Sequence, residues 1–148
     1  MSSNINIVLV NTSHPGNIGS TARAMKTMGL FNLTLVSPRH FPSDVANAKA
    51  VGCIDILENA NIVENFNESL SRSSLVVGFS ARSRKSNIPS ITIDQLINIL
   101  DDHTGEEVSI VFGNEQSGLS NEELQLCNYL VSIPTGNSYT SLNLASAV

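Results

Sequence analysis

Ile5-Asn6-Ile7-Val8-Leu9-Val10 is a short, almost unbroken apolar run, followed at once by Asn11-Thr12-Ser13-His14-Pro15-Gly16-Asn17-Ile18-Gly19-Ser20-Thr21-Ala22-Arg23. A run of that length and branching reads as a strand buried on both faces. The polar stretch after it, with two glycines and a proline, reads as a tight loop that opens into a helix near Gly19. The helical pattern over 20–28 stops at Gly29, a residue suited to the left-handed turn that ends a helix. The alternation then recurs. Further β-type runs occupy 33–36, 54–57, 75–79, 108–112 and 130–133, and helical patterns occupy 44–51, 66–70 and 93–100. Ser120-Asn121-Glu122-Glu123 has the form of a capping box opening a helix to Cys127. A last helical pattern over 142–148 has no cap and no polar tail, so the chain is expected to be cut inside its final helix. The expected architecture is one α/β domain over 1–148, a mostly parallel sheet flanked by helices.

Composition narrows the class. With 41% hydrophobic and 14% charged residues the chain is globular, neither disordered nor coiled coil. No apolar run approaches a membrane span, and Met1-Ser2-Ser3-Asn4 lacks the basic and apolar regions of a signal peptide. Cys53 and Cys127 stand far apart without partner spacing, as buried thiols in a reducing cytoplasm do. His14, His40 and His103 are scattered, so no metal site is expected. The net charge of −5 argues against a nucleic-acid partner, but its distribution does not. All eight Lys and Arg lie between Arg23 and Lys85, against five Asp and Glu up to that point, a net of +3. From Ser86 onward eight carboxylates face no cation, a net of −8. A local basic face can hold phosphates on an acidic molecule; a solvated, unevenly charged surface would look the same.

Ligands of such sheets bind beyond the carboxyl ends of the strands. The loop after the first strand is neither a dinucleotide fingerprint nor a P-loop, since Gly16-Asn17-Ile18-Gly19 has the wrong spacing and no Gly-Lys-Ser/Thr follows. Arg23 follows one turn into the helix and Lys26 could share its face. Ser80-Ala81-Arg82-Ser83-Arg84-Lys85 offers three cations among small hydroxyls, which suits phosphates but also suits an ordinary solvated loop. Gly113-Asn114-Glu115-Gln116-Ser117-Gly118 and the loop from Pro134 to Ser141 let a ligand approach the backbone closely. Loops, backbone groups, an arginine and hydroxyls suit binding and positional catalysis better than covalent catalysis.

Three segments together resemble the signature motifs of the SpoU–TrmH family within the knotted SPOUT superfamily: Asn17-Ile18-Gly19-Ser20-Thr21-Ala22-Arg23-Ala24, Val111-Phe112-Gly113-Asn114-Glu115-Gln116-Ser117-Gly118-Leu119-Ser120, and Ser141-Leu142-Asn143-Leu144-Ala145-Ser146-Ala147-Val148. Two further stretches, Ile7-Val8-Leu9-Val10-Asn11-Thr12-Ser13-His14 and Val76-Val77-Gly78-Phe79-Ser80-Ala81-Arg82-Ser83-Arg84, are similar to the TrmJ branch. The resemblance implies a deep C-terminal trefoil knot and a homodimer whose active sites draw on both subunits. It implies S-adenosylmethionine bent in the knot and held largely by backbone of the loops 80–82, 113–118 and 133–142. The residues this assigns to the cofactor are Ser80, Ala81, Arg82, Gly113, Asn114, Glu115, Gly118, Ile133, Ser141, Leu142 and Asn143. Arg23 matches the catalytic arginine, with Ser141 and Asn17 shaping the site. Arg23, Lys26, Arg82, Arg84 and Lys85 are the expected RNA contacts. The implied reaction is methyl transfer to a ribose 2′-hydroxyl of tRNA, on cytidine or uridine at the first nucleotide of the anticodon loop, without a metal.

Three other readings compete. The same chemistry could serve another RNA, such as ribosomal RNA, because the motifs do not select the substrate. A binding module of this fold without catalysis would not need Arg23, Ser141 and Asn143. A nicotinamide enzyme would need the glycine fingerprint and an acid closing the second strand, where Val36-Ser37-Pro38 stands.

Overall fold

The computed structural model describes residues 5–11, 15–27, 29–38, 54–70, 73–80, 88–102, 106–113 and 119–132. In chain order they form β1 (Ile5–Val10), α1 (Pro15–Thr27), β2 (Asn32–Val36), α2 (Ile54–Glu58), β3 (Asn61–Val63), α3 (Phe66–Ser69), β4 (Leu75–Ser80), β5 (Ser90–Ile91), α4 (Ile93–Asp102), β6 (Val108–Phe112), α5 (Asn121–Gln125) and β7 (Tyr129–Ser132). The strands make one sheet in the order β3-β2-β1-β6-β4-β7-β5, and all six described pairings are parallel.

Side chains that alternate along each strand feed two cores. On one face Ile5, Ile7 and Leu9, Leu75, Val77 and Phe79, and Val108, Ile110 and Phe112 pack against Ile18, Ala22 and Met25 of α1, Ile56 and Leu57 of α2, and Leu96 of α4. On the other face Val8, Val10, Val76 and Val111 pack against Phe66 of α3 and against Leu124 and Cys127 at α5. Covering both faces with helices favours strands that are largely apolar, and all five residues of β6 are buried, Ser109 among them.

Local chemistry sets the helix ends. Proline's fixed φ suits the first position of α1, where its missing N–H costs nothing. At the other end Gly29 takes φ 74°, its N–H donates to the Lys26 carbonyl at 3.1 Å, and the Leu30 N–H donates to the Met25 carbonyl at 2.8 Å. These are the paired bonds of a Schellman turn, and the Met25 and Leu30 side chains are both buried in the same core. The Ser120–Glu123 capping box is formed in both directions. Thr92 and Gln95 make a second reciprocal box at the start of α4, each accepting from the other's backbone N–H.

The structure departs from the sequence reading in several places. Residues 54–57, read as a strand, begin the helix α2: Ile56 and Leu57 are both buried while Asp55 and Glu58 are exposed, a helical rather than an alternating pattern. Helix α1 begins at Pro15, four residues before Gly19. Strands β3 and β5 were not expected from the pattern. The expected helices over 44–51 and 142–148 lie outside the described residues.

Candidate active site

At the carboxyl edge of the sheet the registers align four strands. Leu9 of β1 pairs with Phe112 of β6, Phe112 with Phe79 of β4, and Phe79 with Val131 of β7. One residue further along each chain stand Val10, Gly113, Ser80 and Ser132, of which Ser80 and Ser132 are themselves paired. The starts of the loops after β6, β4 and β7 are thus brought side by side. Gly113 is buried at this edge. From β1 the chain continues through α1 to β2 on one side; from β6 it continues through α5 past β4 to β7 on the other. Neighbouring strands with diverging connections mark the switch point at which open α/β sheets hold ligands.

Arg23 is exposed on α1, eight residues beyond Pro15, or about 12 Å along the axis. Its carbonyl accepts from the Thr27 hydroxyl at 3.0 Å. Lys26 is also exposed, and its Nζ lies 3.7 Å from Oδ1 of Asp55 on α2. An ion pair as open to water as this one contributes little to stability. Asn17 is the third residue of α1, and Ser80 ends β4. Ala81, Arg82, Arg84, Lys85, Asn114, Glu115, Gly118, Ile133, Ser141, Leu142 and Asn143 lie outside the described residues.

Two features of this edge were not read from the sequence. Asn11 and Ser37, directly after β1 and β2, both adopt the left-handed region, with φ of 55° and 46°. Their N–H groups donate to the carbonyls of Val36 at 2.9 Å and Val63 at 2.8 Å, so each turn is tied to the neighbouring strand. Asparagine tolerates this conformation, which made Asn11 the legible one of the two. The second is the stack of Phe79 on Phe112, with ring centroids 4.9 Å apart and planes at 26°. Among the described residues no cluster of His, Cys, Asp or Glu could hold a metal ion, and no helix is long and apolar enough to cross a membrane. The Cys127 thiol is pushed up to about 12 by burial first and the Glu123 carboxylate second, so it is protonated and unreactive at neutral pH.

The chain belongs to the SpoU rRNA Methylase family, whose model matches residues 4–148. Among curated relatives it is 51% identical to the tRNA (cytidine/uridine-2'-O-)-methyltransferase TrmJ of Sodalis glossinidius, over 98% of this chain and 57% of that protein. Among solved structures, a probable methylase family protein from Haemophilus influenzae superposes with a TM-score of 0.89 at 40% identity, covering 99% of this chain and 64% of the other. At 23% identity the fold alone is shared with the SpoU methyltransferase AviRb of Streptomyces viridochromogenes, solved with the cofactor AdoMet (TM-score 0.68; 99% and 57% covered). The chain spans about three fifths of the length of the curated relatives it matches.

Proposed function

We propose that this chain is the S-adenosylmethionine-dependent catalytic domain of a tRNA ribose 2′-O-methyltransferase of the TrmJ branch, acting on cytidine or uridine at the first nucleotide of the anticodon loop in the cytoplasm. The observation that carries the proposal is half-identity, across nearly the whole chain, to a relative named for that reaction. The carboxyl edge supports it. Gly113, Ser80 and Ser132 are small residues in one row, and small residue types there favour close approach of a bound molecule to the backbone. That arrangement fits a cofactor held by backbone of the loops 80–82, 113–118 and 133–142, with Ser141 and Asn143 positioning it and a trefoil knot formed by the last of these loops.

S-adenosylmethionine, when bound, supplies an electrophilic methyl group on a sulfonium. The chain's own part is to prepare the ribose oxygen. An arginine, with a pKa above about 12, is a poor general base. Arg23 instead clamps the neighbouring phosphate, orients the 2′-hydroxyl and stabilises the negative charge that develops on its oxygen. Its place well down α1 suits a homodimer in which Arg23 of one subunit completes the site of the other. Lys26, Arg82, Arg84 and Lys85 add phosphate contacts, so RNA binding should weaken steeply with salt.

The test is incubation of the full protein with S-adenosylmethionine and unmodified tRNA transcripts, followed by mass spectrometry of the digested nucleosides. A 2′-O-methyl nucleoside at the start of the anticodon loop is expected. The Arg23→Ala variant should lose it by at least a hundredfold while binding the cofactor with near-normal affinity. Methylation elsewhere in tRNA would retain the family and discard the branch. Loss of cofactor binding in the variant would make Arg23 a cofactor or structural residue.

A further inference from the structure

Phe112 and Leu119, which flank the segment 113–118 in sequence, belong to the cores on opposite faces of the sheet. Phe112, immediately before it, lies stacked on Phe79 within the core that α1 covers, and the rings are 4% and 1% exposed. Leu119, immediately after it, is buried in the opposite core and presses on Gly78: a Cβ there would sit 3.0 Å from Leu119 Cδ1 and 2.8 Å from Cys127 Sγ. Gly78 and Phe79 are consecutive, so one dipeptide of β4 receives both feet of the loop. Glycine allows Leu119 to close on the strand from one side, and phenylalanine gives Phe112 a flat partner on the other. The same strand ends at Ser80, so the contacts with Phe112 and Leu119 lie within two residues of the end of β4.

We infer that Phe112 and Leu119, seated on Phe79 and Gly78, are positioning residues for the cofactor, setting where the chain enters and leaves the segment 113–118 relative to the end of β4. The inference rests on the reading that these loops bind S-adenosylmethionine. A site made of backbone groups has no side-chain rotamers with which to recover a misplaced contact, and its geometry is only as good as the packing below it.

The experiment is calorimetric titration of the full protein with S-adenosylmethionine, well below the melting temperature, with circular dichroism on each variant to show that it is folded. Phe112→Leu and Leu119→Ala should each raise Kd by about tenfold. Phe79→Leu removes the same ring contact from the other strand and should match Phe112→Leu, which keeps the test open if one of them does not fold. Leu96→Ala is the control: it empties a fully buried position of α4 in the same core, distant in sequence from both loops, and should leave Kd within about twofold. Unchanged Kd in the folded loop variants would overturn the inference, as would an equal rise in Leu96→Ala, which would show a general loss of rigidity. No binding by the unsubstituted protein would overturn the cofactor reading itself, and this inference with it.

Discussion

The two edges of the sheet are built from different chemistry. At the amino edge, side chains bind strands together. Thr34 of β2 donates to Asn6 of β1 at 3.0 Å, Asn6 donates to Ser109 of β6 at 3.4 Å, and Ser109 shares a short hydrogen bond with Ser73 just before β4. Ser74 adds two bonds to the Glu107 carbonyl, and the Asn128 side chain accepts from the Val76 N–H. Among the described residues no buried side-chain N or O atom lacks a partner. At the carboxyl edge the row is Leu9, Phe112, Phe79 and Val131, then small residues and loops. Side-chain hydrogen bonds link neighbouring strands toward the amino edge. Packed apolar side chains link β1, β6, β4 and β7 at the carboxyl edge, where the described side-chain bonding is sparser. The difference teaches that one sheet can be rigid by two means, and that substitutions at each edge should be separable in what they disturb.

The largest effect on stability is expected at Gly78. Gly78→Ala forces Cys127, Leu119 and Leu130 aside, since all three lie within 3.1 Å of the added carbon. The cost should be about 1–3 kcal/mol in a urea titration, together with weaker cofactor binding because Leu119 moves. An unchanged midpoint would show that the two sides of β4 are loosely packed there and erase the contrast. Cys127 provides a pH-dependent probe of the same contact. Its folded pKa is raised from 9.0 to about 12, so between these values the unfolded chain releases a proton that the folded chain retains. Stability from this group is complete below pH 9.0 and declines above it. Relative to Cys127→Ala, the protein should lose about 1.4 kcal/mol one pH unit above the ordinary thiol value. Parallel pH curves would mean that water reaches the thiol. The smallest effect belongs to the amino edge. Thr34→Val keeps the shape and removes one donor, and should cost about 1 kcal/mol with cofactor affinity unchanged. A fall in affinity would show that the two edges are mechanically coupled.

Much of the layout was legible because parallel strands buried on both faces are largely apolar. That pattern located β1, β2, β4, β6 and β7 to within one residue at each end. β3 and β5 escaped because three and two residues cannot show a period. Ile54-Asp55-Ile56 looked like strand alternation. The following Leu57 buries beside Ile56, and the crossover from β2 to β3 needs a helix in that place, so tertiary packing overrode the local pattern. At the candidate site, Gly113 follows β6 directly, as the Val111-Phe112-Gly113 pattern led one to expect of the strand's end. The Phe79–Phe112 stack was not legible: two phenylalanines 33 positions apart meet only once the register of β4 against β6 is known. The Thr92–Gln95 box was legible and went unread.

The brevity of β3 and β5 has a consequence for how copies of this chain can meet. Among the described residues these are the outermost strands, and a foreign strand laid along either would find backbone partners for only one or two ladder bonds. Lengthwise growth of the sheet, the route to fibres and runaway assembly, is blocked by geometry rather than by charge. Recognition of another chain through these edges would rest on very few backbone bonds, whereas helices and loops offer side chains that can select a partner.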